Sequence, residues 1–169
     1  MTSTITRKIA LSSIFIAVAT VLGTFSIPIL GAKASPIQHL INVVAGVTLG
    51  PSYALLTAFA SSLVRNLLGT GSLLAFPGSM VGAFLAGLLF KKFKKIEVAV
   101  LGEVVGTGIL GALLAYPLAT LVLGKEVAMF AYLVPFSISS GVGSAIAYGI
   151  LQIKTIRHLL LRENRNLIA

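Results

Sequence analysis

The sequence predicts an all-α integral membrane bundle of six hydrophobic helices, and three observations predict it. Hydrophobic residues make up 57% of the chain and charged residues only 10%, against about 25% charged in a soluble domain. The apolar residues fall into six runs separated by charges and Gly/Pro breaks. The Lys and Arg residues sit at the edges of those runs, crowded toward one side.

A bilayer core of about 30 Å takes roughly 20 apolar residues in a helix. The first run, Ile9 to Ile29, is long enough. Its basic start and Ala32-Lys33-Ala34 imitate a signal peptide with its cleavage box. An apolar stretch of about 21 residues exceeds the 7–15 of a signal core, so it is expected to stay as a helix. The second run, Gln38 to Leu49, rises only about 18 Å at 1.5 Å per residue. It cannot cross alone, so it is tilted, lies partly under a loop, or extends back through Ser35-Pro36. Gly50-Pro51 then makes a turn.

The third run is Ser52 to Leu68. The fourth is Leu73 to Phe90, with Pro77-Gly78 near its start. The fifth is Val98 to Leu123, and the sixth is Val127 to Ile153 with Pro135 inside it. The tail from Lys154 to Ala169 carries Arg157, Arg162, Glu163 and Arg165 and is expected to be a solvated or headgroup-facing helix end. The whole of 1–169 reads as a single transmembrane domain.

Basic residues set the orientation. With the N-terminus cytoplasmic, ten of the 13 fall inside: Arg7, Lys8, Lys91, Lys92, Lys94, Lys95, Lys154, Arg157, Arg162 and Arg165. Lys33, Arg65 and Lys125 fall outside. Six spans put both basic termini on the cytoplasmic side of the cell membrane.

Several chemistries are disfavoured. The net charge of +9 forms no continuous basic face, which argues against nucleic acid. The chain has no cysteine, hence no disulfide, thiolate metal site or cysteine nucleophile. It has no phosphate-binding loop, because Glu126 follows Gly124-Lys125 and Ala119 stands where the first glycine belongs. His39 and His158 lack metal-binding spacing. Glu103 is the one acid inside a run, whereas proton-coupled carriers use several. These absences point to a binding protein with no catalytic set, metal or cofactor.

Polar groups in lipid are costly and tend to face a cavity or a partner. Here they concentrate between Ser35 and Ser79. His39 and Asn42 share a helix face, as do Ser62 and Asn66, and Ser61 and Arg65. Gly69-Thr70-Gly71-Ser72 breaks the chain before Phe76, Pro77, Gly78 and Ser79. These groups are expected to converge on an outward pocket walled by Phe25, Phe76, Tyr116 and Tyr132. Each also has a plainer reading. Arg65 snorkels to headgroups, the asparagines join helices, His39 sits at the interface, the glycines merely permit a turn, and the tyrosines form an aromatic belt. Clustering at one end favours the pocket. Glu103 is expected to be a packed or partner-facing acid. On the first run, Ala10, Ser13 and Ala17 make one small-residue face and Ala19 and Gly23 another, for packing in the bundle or against a further subunit.

The runs PIQHLINVVAGVTLGP (36–51) and LVRNLLGTGSLLAFPGS (63–79) resemble the ThiW family of substrate-binding (S) components of energy-coupling-factor (ECF) vitamin importers. The resemblance covers most of the chain, and the Arg65 to Ser79 block is its most specific part. It implies an S-component fold and uptake of hydroxyethylthiazole, the thiazole precursor of thiamin. It implies as partners a transmembrane coupling subunit, docked on the small-residue face around Ser13 and Ala17, and two ATPase subunits. Ser13 departs from a strict Ala-xxx-Ala pattern but keeps the small size. Such a ligand suits an aromatic wall, Phe76 or Tyr116, and two or three hydrogen bonds from His39, Asn42, Asn66 or Ser79. Arg65, Thr70, Ser72 and Tyr132 complete the expected site. About nine non-hydrogen atoms at about 1.5 kcal/mol each allow nanomolar affinity. The loop from Leu30 to Ser35, bracketed by Gly31 and Pro36, is the expected lid. The rival readings are an S component for another metabolite such as the pyrimidine precursor, a solitary facilitator, and an intramembrane enzyme.

Overall fold

The structure, a computed structural model, describes residues 2–30 and 32–168. Gly31, one bracket of the expected lid, lies outside the described residues. The elements are α1 (Thr2–Leu22), β1 (Ile27–Ile29), β2 (Ala32–Ala34), α2 (Pro36–Leu49), α3 (Pro51–Leu67) and α4 (Ala75–Phe93). A continuous helical rod, α5 (Ile96–Val122), follows, then α6 (Leu133–Gln152) and α7 (Lys154–Ile168). The fold is all-α apart from the small β1–β2 hairpin.

Of the described helices, three are long and apolar enough to cross a membrane unaided: α1, α5 and α6. The predicted count of six spans is therefore not what length and apolarity give. Helix α2 has 14 residues, α3 carries Arg65 in its last turn, and α4 ends on Lys91 and Lys92. The outer surface is nonetheless apolar. Ile9, Leu56, Leu101, Leu114 and Ile138 are all exposed, as a membrane protein's lipid-facing surface requires.

The end of the first run, the start of the sixth and the tail depart most from the sequence reading. The first run does not continue to Ile29, because α1 ends at Leu22. Thr24 Oγ1 donates to Val21 O at 2.7 Å, Pro28 has no N–H to continue the helix, and the chain turns into a hairpin that pairs Ile27 with Ala34. The sixth helix begins at Leu133, not Val127. Pro135 thus sits in the first turn, where a missing N–H costs nothing. The tail is more than a solvated end. Helix α7 folds back so that Asn164 Nδ2 donates to Thr48 O at 3.1 Å, Leu167 is buried, and Arg7 pairs with Glu163 at 2.5 Å.

Helix α2 is the hub. Every residue from Ile41 to Gly50 is buried, and α1, α3, α4, α5, α6 and α7 all pack on it. Enclosed this way, its buried polar side chains face protein instead of lipid. It starts at Pro36, two residues before the run read from the sequence and with proline in the first turn; backward extension is one of the three readings open for so short a run. One end of the bundle gathers Lys8, the Gly50-Pro51 turn, Lys91 and Leu167 around a shallow depression. The other end holds the hairpin, the starts of α2, α4 and α6, and the end of α3.

Candidate functional site

A narrow cleft, open to solvent, lies at the hairpin end. Lys33 and Ser35 come from the hairpin and its exit, Gln38 and His39 from α2, and Arg65 from α3. Ser72 and Leu74 come from the loop, Ala75, Gly78 and Ser79 from α4, Thr107 from α5, and Phe136 and Ser139 from α6.

The loop is held by its own backbone. Helix α3 closes with Gly69 at φ +72, a conformation favourable to glycine. The N–H groups of Thr70 and Gly71 then both donate to Arg65 O, at 2.9 and 2.8 Å, which caps the helix. Asn66 Nδ2 donates to Ser62 O at 2.8 Å and Ser72 O at 3.2 Å, so the loop is tied to the helix it leaves. The hairpin exit is fixed by Ser35 N–H donating to Ser139 Oγ at 2.9 Å.

A buried polar network forms the floor. Arg65 Nη1 donates to Gln38 Oε1. A guanidinium only donates, so this contact sets the Gln38 amide with its nitrogen on the far side. There Nε2 donates to Ser62 Oγ at 2.9 Å and Ser79 Oγ at 2.8 Å. Asn42 Nδ2 reaches Ser79 O at 3.1 Å and Glu103 Oε1 at 2.9 Å. His39 Nδ1 also lies 2.8 Å from Glu103 Oε1. Thr107 Oγ1 is 3.0 Å from both Glu103 Oε1 and Gly78 O and donates its one proton to either. Glu103 is fully buried and does not line the cleft. Each of these bonds to a charged group contributes about 1.5–3 kcal/mol net.

Glycine lets α4 and α5 come close enough to build this floor. A Cβ on Gly82 would collide with Thr107 Oγ1 and with the Glu103 carboxylate. A Cβ on Gly78 would sit 2.9 Å from the Phe136 ring. Residues Gly106–Gly111 of α5 form a π-helical turn, a distortion frequent at functional sites, and Thr107 is in it.

The expected site residues separate into groups. His39, Arg65, Ser72 and Ser79 line the cleft. Asn42 lies beneath it, and Asn66 and Thr70 brace the loop. Phe76 is outside, packed at a tilt against Phe59 with 5.7 Å between centroids. Tyr132 is buried behind Phe136, 5.9 Å away. Tyr116 does not line the cleft, and Phe25 is 76% exposed. The aromatic wall is Phe136, which sequence reasoning missed together with Gln38, Thr107 and Ser139. Gln38 was detectable, since it stands four residues before Asn42 on the same face. Glu103, expected to be a packed acid, is the hub of the floor. On α1, Ser13 and Ala17 face outward, whereas Ala19, and Gly23 just past the helix end, face into the bundle. Among the described residues no cluster of His, Cys, Asp and Glu is able to hold a metal ion.

No curated protein and no solved structure matches the chain. The family model described as "Thiamine-precursor transporter protein (ThiW)" matches residues 9–156, most of the chain. The chain belongs to the ThiW family of thiamine-precursor transporters.

Proposed function

We propose that this chain is the substrate-binding subunit of an ECF-type importer and captures hydroxyethylthiazole from outside the cell. One observation carries the reading: a cleft with a single aromatic wall, Phe136, above a floor of fixed hydrogen-bonding side chains. Such a site suits a small heteroaromatic alcohol. The thiazole ring lies on Phe136, and His39 and Ser139 take the ring nitrogen and hydroxyl. His39 Nδ1 is committed to Glu103, which leaves Nε2, without a partner among the described residues, for the ligand.

The chain crosses the membrane several times with both termini cytoplasmic. The crowding of ten basic residues away from the cleft supports this orientation, and it sets the cleft outward. The hairpin bearing Lys33 is the lid. The coupling subunit docks on the outward face of α1 around Ser13 and Ala17, whose exposure supports that role. Two ATPase subunits drive reorientation, and this chain breaks no bond in its ligand.

Calorimetry on the detergent-purified chain tests the assignment, with hydroxyethylthiazole as ligand and thiamin and the pyrimidine precursor as competitors. Selective thiazole binding supports it. Selective pyrimidine binding transfers the role to that precursor. Uptake by vesicles holding this chain alone would replace the importer with a solitary facilitator.

A further inference from the structure

We infer that the cleft is an oxyanion site: its preferred ligand carries a carboxylate or phosphate group that is held by Arg65. The inference rests on reading the cleft as a thiamine-precursor site and departs from the ligand proposed above in one respect: the neutral alcohol is the weaker binder and an anionic derivative the preferred one.

The case begins with Arg65. The residue is 3% exposed, yet no acidic side chain pairs with it among the described residues. Among the described residues its one side-chain acceptor is the neutral Gln38 Oε1. Nε is buried without a partner, and Nη2 has no protein acceptor among the described residues. A guanidinium has five N–H donors; Nε is packed against Gly23, and the Nη groups keep uncommitted N–H donors where Arg65 borders the cleft. A buried charge without a counter-charge is strongly unfavourable, and an arriving anion relieves it. The carboxylate and phosphate geometries match the guanidinium fork.

Glu103 does not meet that need. Its Oε1 is occupied by His39, Asn42 and Thr107, and it is sealed beneath the floor. Of the residues lining the cleft, Lys33 and Arg65 are basic and none is acidic. Lys33 is exposed at the mouth, so the two cations lie at the rim and the base.

The test compares matched neutral and anionic ligands on the purified full chain. Calorimetry and thermal melting would use hydroxyethylthiazole, its phosphate ester and its 2-carboxylate, together with hydroxymethylpyrimidine and its phosphate. An anionic member should bind at least about tenfold tighter than its neutral alcohol, the effect of a charge-assisted bidentate contact. Arg65→Gln should remove that preference, lowering affinity for the anion about 30-fold and for the alcohol less than about threefold. Lys33→Gln, at the exposed rim, should weaken anion binding by only about threefold. If Arg65→Gln does not fold, the matched pairs in the unaltered chain and Lys33→Gln still decide.

Equal or tighter binding of the neutral alcohols would overturn the inference and leave the thiazole assignment standing. Equal losses for both ligands in Arg65→Gln would overturn it too, reducing Arg65 to a brace. Tight binding of the pyrimidine phosphate alone would end the thiazole assignment and support the oxyanion site. Which thiazole anion wins distinguishes phosphate from carboxylate. No stabilisation by any of the five would sink both.

Discussion

Glu103 Oε1 lies 2.8 Å from His39 Nδ1, joining the middle of α5 to the start of α2 inside the bundle. The same oxygen takes Asn42 at 2.9 Å and Thr107 at 3.0 Å, whereas Oε2 has no partner. One carboxylate oxygen therefore orients the floor of the cleft. Replacing Glu103 by Ala strands buried donors on α2 (His39 and Asn42) and on α5 (Thr107) and should destabilise the chain by about 3–5 kcal/mol. Glu103→Gln keeps the shape and should cost less while still misorienting His39. Thermal melting in detergent reads the first effect and ligand calorimetry the second. A Glu103→Gln chain that melts and binds like the parent would remove Glu103 from this role.

Gly82 is occupied ground in the same network. A methyl there would displace both Thr107 Oγ1 and the Glu103 carboxylate. Gly82→Ala should cost about 1–3 kcal/mol, the range for overpacking a filled site, and should lower ligand affinity through the disturbed floor. Gly149, in α6, has open space where a methyl would stand, so Gly149→Ala should stay within about 0.5 kcal/mol of the parent. Melting the two variants side by side checks the contrast. Equal behaviour would mean that α4 and α5 are not in such close contact.

The tail offers a comparison of a surface pair with a buried bond. Arg7 is 55% exposed in its pair with Glu163, and such pairs contribute about 0–1 kcal/mol. Asn164 is 5% exposed and satisfies Thr48 O. Asn164→Ala should therefore cost more than Glu163→Gln, about 1–3 kcal/mol for the stranded carbonyl. Added salt should erase the small Glu163→Gln effect. Denaturation in detergent at low and high salt measures both, and a larger effect for Glu163→Gln would reverse the ranking.

Much of this arrangement is legible in the sequence because lipid imposes simple rules. Apolar runs between charges and Gly/Pro breaks mark the places of α1 to α6, although only α1, α5 and α6 are long and apolar enough to cross a membrane unaided, and the polar block from Ser35 to Ser79 supplies most of the cleft's wall and its supports. Local periodicity says less about which side of a helix faces which neighbour. Phe76 belongs to the specific block, yet its ring turns to Phe59. Phe136 sits 57 residues beyond Ser79, and only the packing of α6 on α2 and α5 brings it to Gly78. The depth of Glu103 along α5 suggests a packed acid and says nothing of its partners. His39 and Asn42 are more than 60 residues away in sequence, so no spacing rule connects them.

The two phenylalanines give the sharpest test of where the ligand lies. Phe136 borders the cleft, 8% exposed, with its ring against Gly78 and Tyr132 behind it. Phe76 borders no part of the cleft and pairs with the partly exposed Phe59. An aromatic wall that stacks a ligand ring contributes about 0.5–1.5 kcal/mol beyond its area, and removing it also loses buried apolar surface. Phe136→Ala should weaken binding at least about tenfold, equivalent to about 1.4 kcal/mol. Phe136→Tyr should retain most of the affinity, because the ring face survives. Phe76→Ala should lower the melting temperature through its lost packing but change affinity less than about threefold. Calorimetry with hydroxyethylthiazole and its phosphate on the three variants decides. If Phe76→Ala loses binding while Phe136→Ala keeps it, the ligand occupies the outer side of α4 rather than the cleft between α4 and α6.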